Sequence, residues 1–219
     1  MIKAIISLSS ALTVLIGGLL PSQAAVTGGS VTLGGGDFVL LSSFTGSVGR
    51  NNFNDLNLYA FDEIQNLDSG AGGIDVNLGS VPANTTVASH YVFFDPRRSS
   101  RQIGWVEFDG DILGVATDRA NLAASDQLFD HAGVNYLNHR LRGLESRRDT
   151  VTIGSGVQSN RLFVNWRASS PGDYVRVFTA VPSPATSATA QVPDGGSMAF
   201  LLGGSLLGLA GARRWIGRR

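Results

Sequence analysis

The chain has 219 residues, no cysteine and a formal net charge of zero. The absence of cysteine excludes disulfides, thiolate zinc sites and cysteine nucleophiles. Between Val26 and Gln191 there are 12 arginines against 16 acids, a balance of −4, and an acidic segment without a basic stripe speaks against nucleic acid as a partner.

The N-terminus reads MIKAIISLSSALTVLIGGLLPSQAA. Lys3 supplies a positive start, Ile5 to Leu20 an apolar run, and Pro21 breaks it. Ser22-Gln23-Ala24 then puts small residues at the −3 and −1 positions of a secretory cleavage site. The layout predicts a signal peptide over 1–24, cut by signal peptidase after Ala24, with Ala25 as second choice.

A folded domain is predicted over 25–180. Period-two alternation with β-branched and aromatic residues marks strands at Phe38–Phe44, Leu58–Phe61, Gly73–Leu78, Ser89–Asp95, Gly104–Phe108, Thr150–Ile153, Arg161–Arg167 and Asp173–Thr179. Glycine clusters at Gly34-Gly35-Gly36, Gly70 to Gly73 and Gly154 to Gly156 separate them, and Ser170-Pro171-Gly172-Asp173 reads as a turn. Asp118–Asp130 departs from this rhythm. It is rich in helix formers and predicts one short helix with Thr117 or Asp118 as N-cap. The fold class expected is all-β, an antiparallel two-sheet sandwich of jelly-roll-like type with that one helix.

Val181 to Gln191 is uncharged and rich in Ser, Thr, Ala and Pro. Such a composition cannot bury a core and predicts a flexible spacer. Beyond it, Val192-Pro193-Asp194-Gly195-Gly196-Ser197 is followed by the apolar run Met198 to Ala212 and by Arg213, Arg214, Arg218 and Arg219. Fifteen helical residues span about 22 Å, short of a hydrocarbon core of about 30 Å, though arginine snorkelling and Trp215 extend the reach. The arginines orient the tail to the cytoplasm, which agrees with the N-terminal signal in placing the domain across the membrane.

These three parts in this order resemble the VPDSG-type member of the PEP-CTERM group of sorting signals. The resemblance covers about 28 residues (192–219) and has Gly196 where the name-giving motif has serine. It implies a Gram-negative host that makes extracellular polysaccharide. It also implies recognition by an exosortase, a membrane-embedded protease acting near the Pro-containing motif of Val192, Pro193, Asp194, Gly195 and Gly196. The runs SHYVFFDPRRSSRQIGWVEFDGDILGVATDRANLAASD and NRLFVNWRASSPGDYVRVFT are also similar to a domain recurring in exported proteins with such signals, a likeness that carries no activity.

Within the domain, Asp109-Gly110-Asp111 has a spacing seen in calcium loops, but no third ligand follows at the right offset. Asp109 and Asp111 are therefore weak metal candidates, better read as a turn that caps backbone groups. His90, His131 and His139 lack zinc-site spacing. No G-x-S-x-G, S-x-x-K, phosphate-loop or dinucleotide motif is present, so neither enzyme activity nor a cofactor is expected. Tyr91, Phe93, Trp105, Trp166, Tyr174 and Phe178 lie on strand-like segments and are expected mainly in the core. The leading expectation is an exported, non-catalytic structural or interaction protein, transiently in the inner membrane and then at the cell surface or in the matrix. The alternatives are a carbohydrate-binding module for extracellular polysaccharide and a hydrolase with an unrecognised site.

Overall fold

The computed structural model describes residues 23–129, 131–145 and 148–182. The sorting motif, the apolar run, the arginine tail, most of the spacer and residues 1–22 lie outside them. Thirteen strands and one helix follow in chain order: β1 (Val26–Leu33), β2 (Phe38–Leu40), β3 (Gly46–Val48), β4 (Leu58–Asp62), β5 (Leu67–Asp68), β6 (Leu78–Gly79), β7 (Thr86–Phe94), β8 (Ser100–Phe108), β9 (Ile112–Ala116), α1 (Arg119–Phe129), β10 (Val134–Tyr136), β11 (Thr150–Ile153), β12 (Arg161–Ala168) and β13 (Asp173–Ala180). The described residues are mostly β, with several sheets and one α-helix.

A four-stranded sheet runs β1-β8-β12-β11, antiparallel throughout. A seven-stranded sheet runs β2-β4-β7-β13-β9-β6, with β5 also on β7. Val106, Phe108, Leu162, Val164 and Trp166 of the first sheet share one buried cluster with Leu58, Val92, Phe94, Val175 and Val177 of the second. Alternation in β8 and β12 is the origin of this: every second residue is buried and the residues between them are not.

The seven-stranded sheet is covered on both faces. Val87 to Phe94 and Asp173 to Thr179 are buried without a break, as expected of strands with a layer on either side. On the second face Tyr59, Phe61, Tyr91, Phe93, Tyr174 and Phe178 pack with Leu122 and Phe129 of α1 and with Val48 and Val134 of β3 and β10. Asp118 starts the helix: its carboxylate accepts from Asn121 N–H at 2.8 Å and its carbonyl from Leu122 N–H at 3.0 Å, the N-cap arrangement.

Three expectations are corrected. The pairing is not wholly antiparallel, because β2–β4 and β3–β10 are parallel. Both are three-residue pairings brought together by long connections, which period-two patterning does not register. Gly73–Leu78 is not a strand. Gly73 turns at φ +72°, Ile74 makes a single bridge to Val81, and regular pairing begins only at Leu78. Phe38–Phe44 is a strand only over Phe38–Leu40; Leu41 N–H makes the last bond to β4, with the Ala60 carbonyl at 2.9 Å, and Ser43 at φ +55° turns the chain away.

Candidate functional site

The outer face of the four-stranded sheet has no layer over it among the described residues. Its rows follow from the register. Ser30, Trp105, Phe163 and Thr152 are paired across β1, β8, β12 and β11. The neighbouring row is Ile103, Asn165 and Thr150, and beyond the other side of Trp105 lie Glu107 and Arg161. Trp105 and Phe163 are part-exposed, standing in a groove of about 340 Å³ whose other walls include Thr32, Ile103, Thr150, Thr152 and Asn165.

The charged side chains on this face are ordered. Arg161 donates to Glu107 Oε2 through Nε at 3.0 Å and Nη2 at 2.8 Å, and its guanidinium carbon lies 4.4 Å from the Trp105 ring centre. Such a cation over an indole is favourable and fixes the ring. Arg101 Nε donates to Asn165 Oδ1 at 3.2 Å, and Arg101 pairs in register with Arg167. The face thus presents an aromatic wall, hydroxyls and an amide, with Arg101, Arg161 and Arg167 at its rim together with Glu107, which holds Arg161, and Asp149, whose Oδ1 accepts from Arg167 N–H at 2.7 Å.

The other aromatic candidates fall in the interior. Tyr91, Phe93, Trp166, Tyr174 and Phe178 are fully buried, so Trp105 alone of the six reaches solvent. Asp109 and Asp111 are both exposed, in the β8–β9 turn. Asp109 Oδ1 accepts from Ala25 N–H at 2.7 Å, and Asp111 Oδ1 from the Ser159 hydroxyl at 2.5 Å. Among the described residues no group of three or more His, Asp or Glu side chains is placed to hold a metal ion. Ala24 is buried.

His90 lies in a relay that sequence spacing does not reveal. Its Nδ1 is 2.6 Å from Asp62 Oδ1 and its Nε2 is 2.9 Å from Thr179 Oγ1. Acid, imidazole and hydroxyl in that order have the connectivity of a nucleophilic triad. His90 and Thr179 are fully buried, however, with Phe108 against the imidazole at 4.7 Å. The relay ties β4, β7 and β13 together. His131 instead lines a separate hollow of about 510 Å³ with Asp62 and Gln65, and His139 lies beside Arg50 in another.

A second polar assembly, also missed in the sequence, lies beneath α1. Arg176 of β13 donates to Glu63 through Nε at 2.7 Å and Nη2 at 2.8 Å, and its Nη1 reaches Ser125 Oγ at 2.6 Å and Asp126 Oδ1 at 3.1 Å. Arg142 donates to both oxygens of Asp126, at 2.5 and 2.8 Å, and to Tyr91 Oη at 2.9 Å. Tyr136 Oη and the Ser89 hydroxyl complete Glu63. Burial pulls the Arg176 guanidinium down, but Glu63 outweighs it and the net direction is up, so Arg176 stays charged. Burial raises the Tyr136 phenol, reinforced by Glu63, so it remains a donor.

Two further carboxyls are buried at the β7 and β13 ends. Asp95 Oδ2 accepts from Asn52 and Phe53 N–H at 2.7 and 3.0 Å, and burial raises its pKa. Asp173 is pushed up to about 8, first by burial and then by Asp149 and Glu145.

Comparison with known proteins bears on the C-terminus. The family model described as the VPDSG-CTERM motif matches residues 191–216. The C-terminus therefore carries an exosortase-type sorting signal, and the chain is that of an exported protein processed at the membrane. No curated protein and no solved structure matches the chain. Among the described residues no helix is long and apolar enough to cross a membrane; Met198–Ala212 lies outside them.

Proposed function

We propose that this is a non-catalytic interaction protein, displayed at the cell surface or in the extracellular matrix of a Gram-negative bacterium. Signal peptidase removes residues 1–24, the Met198–Ala212 run holds the chain in the inner membrane for a time, and an exosortase acts at Val192–Gly196. The 181–191 segment then keeps the domain, a sandwich of jelly-roll-like type, clear of the membrane. The sorting-signal match supports this routing. The non-catalytic reading is supported by the full burial of His90 and of the Thr179 hydroxyl, the acid Asp62 being the one member of the relay that reaches the surface.

The test of routing is to express the tagged chain with and without a host exosortase. Loss of the arginine tail only when the enzyme is present is the expected result. A tail that stays attached in both hosts leaves a simple anchor.

One observation favours a particular ligand, extracellular polysaccharide. The Trp105–Phe163 wall with Thr32, Thr150, Thr152 and Asn165 pairs an apolar surface with hydroxyl-matching groups, which is what the two kinds of surface on a sugar ring require. Arg101, whose Nε is held by the neutral Asn165 amide, places a positive charge at the rim and favours acidic glycans. Trp105→Ala should weaken binding to acidic polysaccharide by about tenfold, measured by calorimetry on the processed protein. Unchanged affinity would remove this face as the site.

A further inference from the structure

The two ends of the domain meet at one turn, Asp109-Gly110-Asp111. Ala25 N–H donates to Asp109 Oδ1 at 2.7 Å, and Asp109 N–H returns a bond to the Ala25 carbonyl at 3.0 Å. The next amide, Val26 N–H, donates to Asp62 Oδ1 at 2.9 Å. On the other side Ala180 N–H donates to the Asp111 carbonyl at 2.8 Å. Gly110 sits so close that a Cβ there would stand 2.0 Å from the Ala180 carbonyl oxygen.

An exposed carboxylate gains little from a neutral amide, and much more from a charged donor in the same place. The nitrogen that Asp109 holds belongs to the residue immediately after the cleavage site read from Ser22-Gln23-Ala24. We propose that signal peptidase cuts the Ala24–Ala25 bond and that the α-ammonium released on Ala25 forms an ion pair with Asp109. The hydrolysis consumes one water. Its hydroxyl stays on the Ala24 carbonyl, which departs as the carboxylate of the leader, and the amide nitrogen leaves as an amine that takes up a proton.

The geometry separates this from the neighbouring cut. Cleavage after Ala25 would free the nitrogen of Val26, whose acceptor, Asp62, is already bonded to buried His90. Asp109, which has no other side-chain partner among the described residues, would then lose the one it has. Cleavage after Ala24 leaves each carboxylate with its own nitrogen. Processing thereby strengthens the attachment of β1, an edge strand, beside the point where β13 leaves toward the spacer.

The inference rests on the export reading of the N-terminus, and one preparation tests both. The processed full chain is purified from an exosortase-bearing host, its N-terminus is identified by mass spectrometry, and the α-amine is titrated by NMR. Asp62, Asp111 and His90 are the other titratable groups around it. The chain is expected to begin at Ala25, with an α-amine about half a pH unit above its ordinary value of about 8 and a return to that value in Asp109→Asn. A chain that retains Met1 overturns the leader reading and the pair with it. A leader removed elsewhere overturns the site alone. An Ala25 amine that titrates alike in both proteins overturns the ion pair while the leader reading stands.

Discussion

Arg176 and Glu63 meet side-on through two hydrogen bonds, 113 residues apart in the chain, and both are buried. The pair sits on the face of the seven-stranded sheet that α1 covers. Ser125 and Asp126 of the helix bond the same guanidinium, and Arg142 holds Asp126 from the far side. The helix is thus joined to the sheet by charge as well as by Leu122 and Phe129. Burying ions is unfavourable unless every donor and acceptor is matched. Here Glu63 accepts from Arg176, Tyr136 and Ser89, so the carboxylate is compensated throughout.

Removing one partner should therefore be far worse than removing both. Glu63→Ala leaves the buried Arg176 with Asp126, which Arg142 already holds, as its remaining carboxylate, and with Nε and Nη2 stripped of their acceptor; the expected loss is about 3 kcal/mol in urea unfolding. Hydrogen exchange of the α1 amides should accelerate in the same variant. The double variant Glu63→Leu with Arg176→Met should recover much of the loss. Equal instability of the single and double variants would show that the network acts through packing alone.

Much of this fold is legible in the sequence where one face of a strand is buried. Arg161–Arg167 and Thr150–Ile153 appear as strands because alternation records a single buried face, while Asp173–Thr179, buried on both faces, is legible from its β-branched and aromatic residues. The helix is legible too, because Asp118 precedes a run of helix formers. The parallel pairs β2–β4 and β3–β10 leave no such trace, and the glycines within β1 and β9 interrupt the alternation there. For the site, Arg176 lies on the same side of β13 as Tyr174 and Phe178, so a charge within an apolar face was the available signal for the network. Nothing local pointed to Glu63 or Arg142 as its partners. Trp105 and Trp166 look alike in sequence, and only the parity of their strands against the shared core separates them.

That difference is measurable. Trp166 is fully buried between the sheets, and Trp166→Ala should cost about 3–5 kcal/mol in chemical unfolding. Trp105 is part-exposed on the outer face, and Trp105→Ala should cost about 1 kcal/mol. Comparable losses in the two variants would mean that the outer face is covered in solution and is no free binding surface.

Gly110→Ala probes the turn that gathers the domain's ends. The added methyl meets the Ala180 carbonyl oxygen at 2.0 Å, a backbone atom that cannot rotate away. The bond from Ala180 N–H to Asp111 must then stretch or break, with an expected loss of about 1–3 kcal/mol. The loss should appear as a lower melting temperature and faster proteolysis after Ala180. A variant as stable and as protease-resistant as the parent would show that the C-terminal end of β13 is not fastened at this turn.

Asp173 makes stability depend on pH in a direction opposite to the usual carboxylate. Its folded pKa is pushed up to about 8, by burial first and by Asp149 and Glu145 after it, while an unfolded aspartate titrates near about 3.9. Between these values the folded state binds the proton more tightly than the unfolded state. The unfolding free energy contributed by this group therefore falls as pH rises from about 4 to about 8. Its Oδ2 is buried without a hydrogen-bond partner, so ionisation there gains no compensating bond. Asp173→Asn keeps the shape and removes the titration. The variant should be more stable than the parent at pH 8, by about 1 kcal/mol or more, and the difference should shrink toward pH 4. Urea midpoints across that range measure it, and a difference that grows toward acid would reverse the sign and place an ionised, stabilised carboxylate at this position.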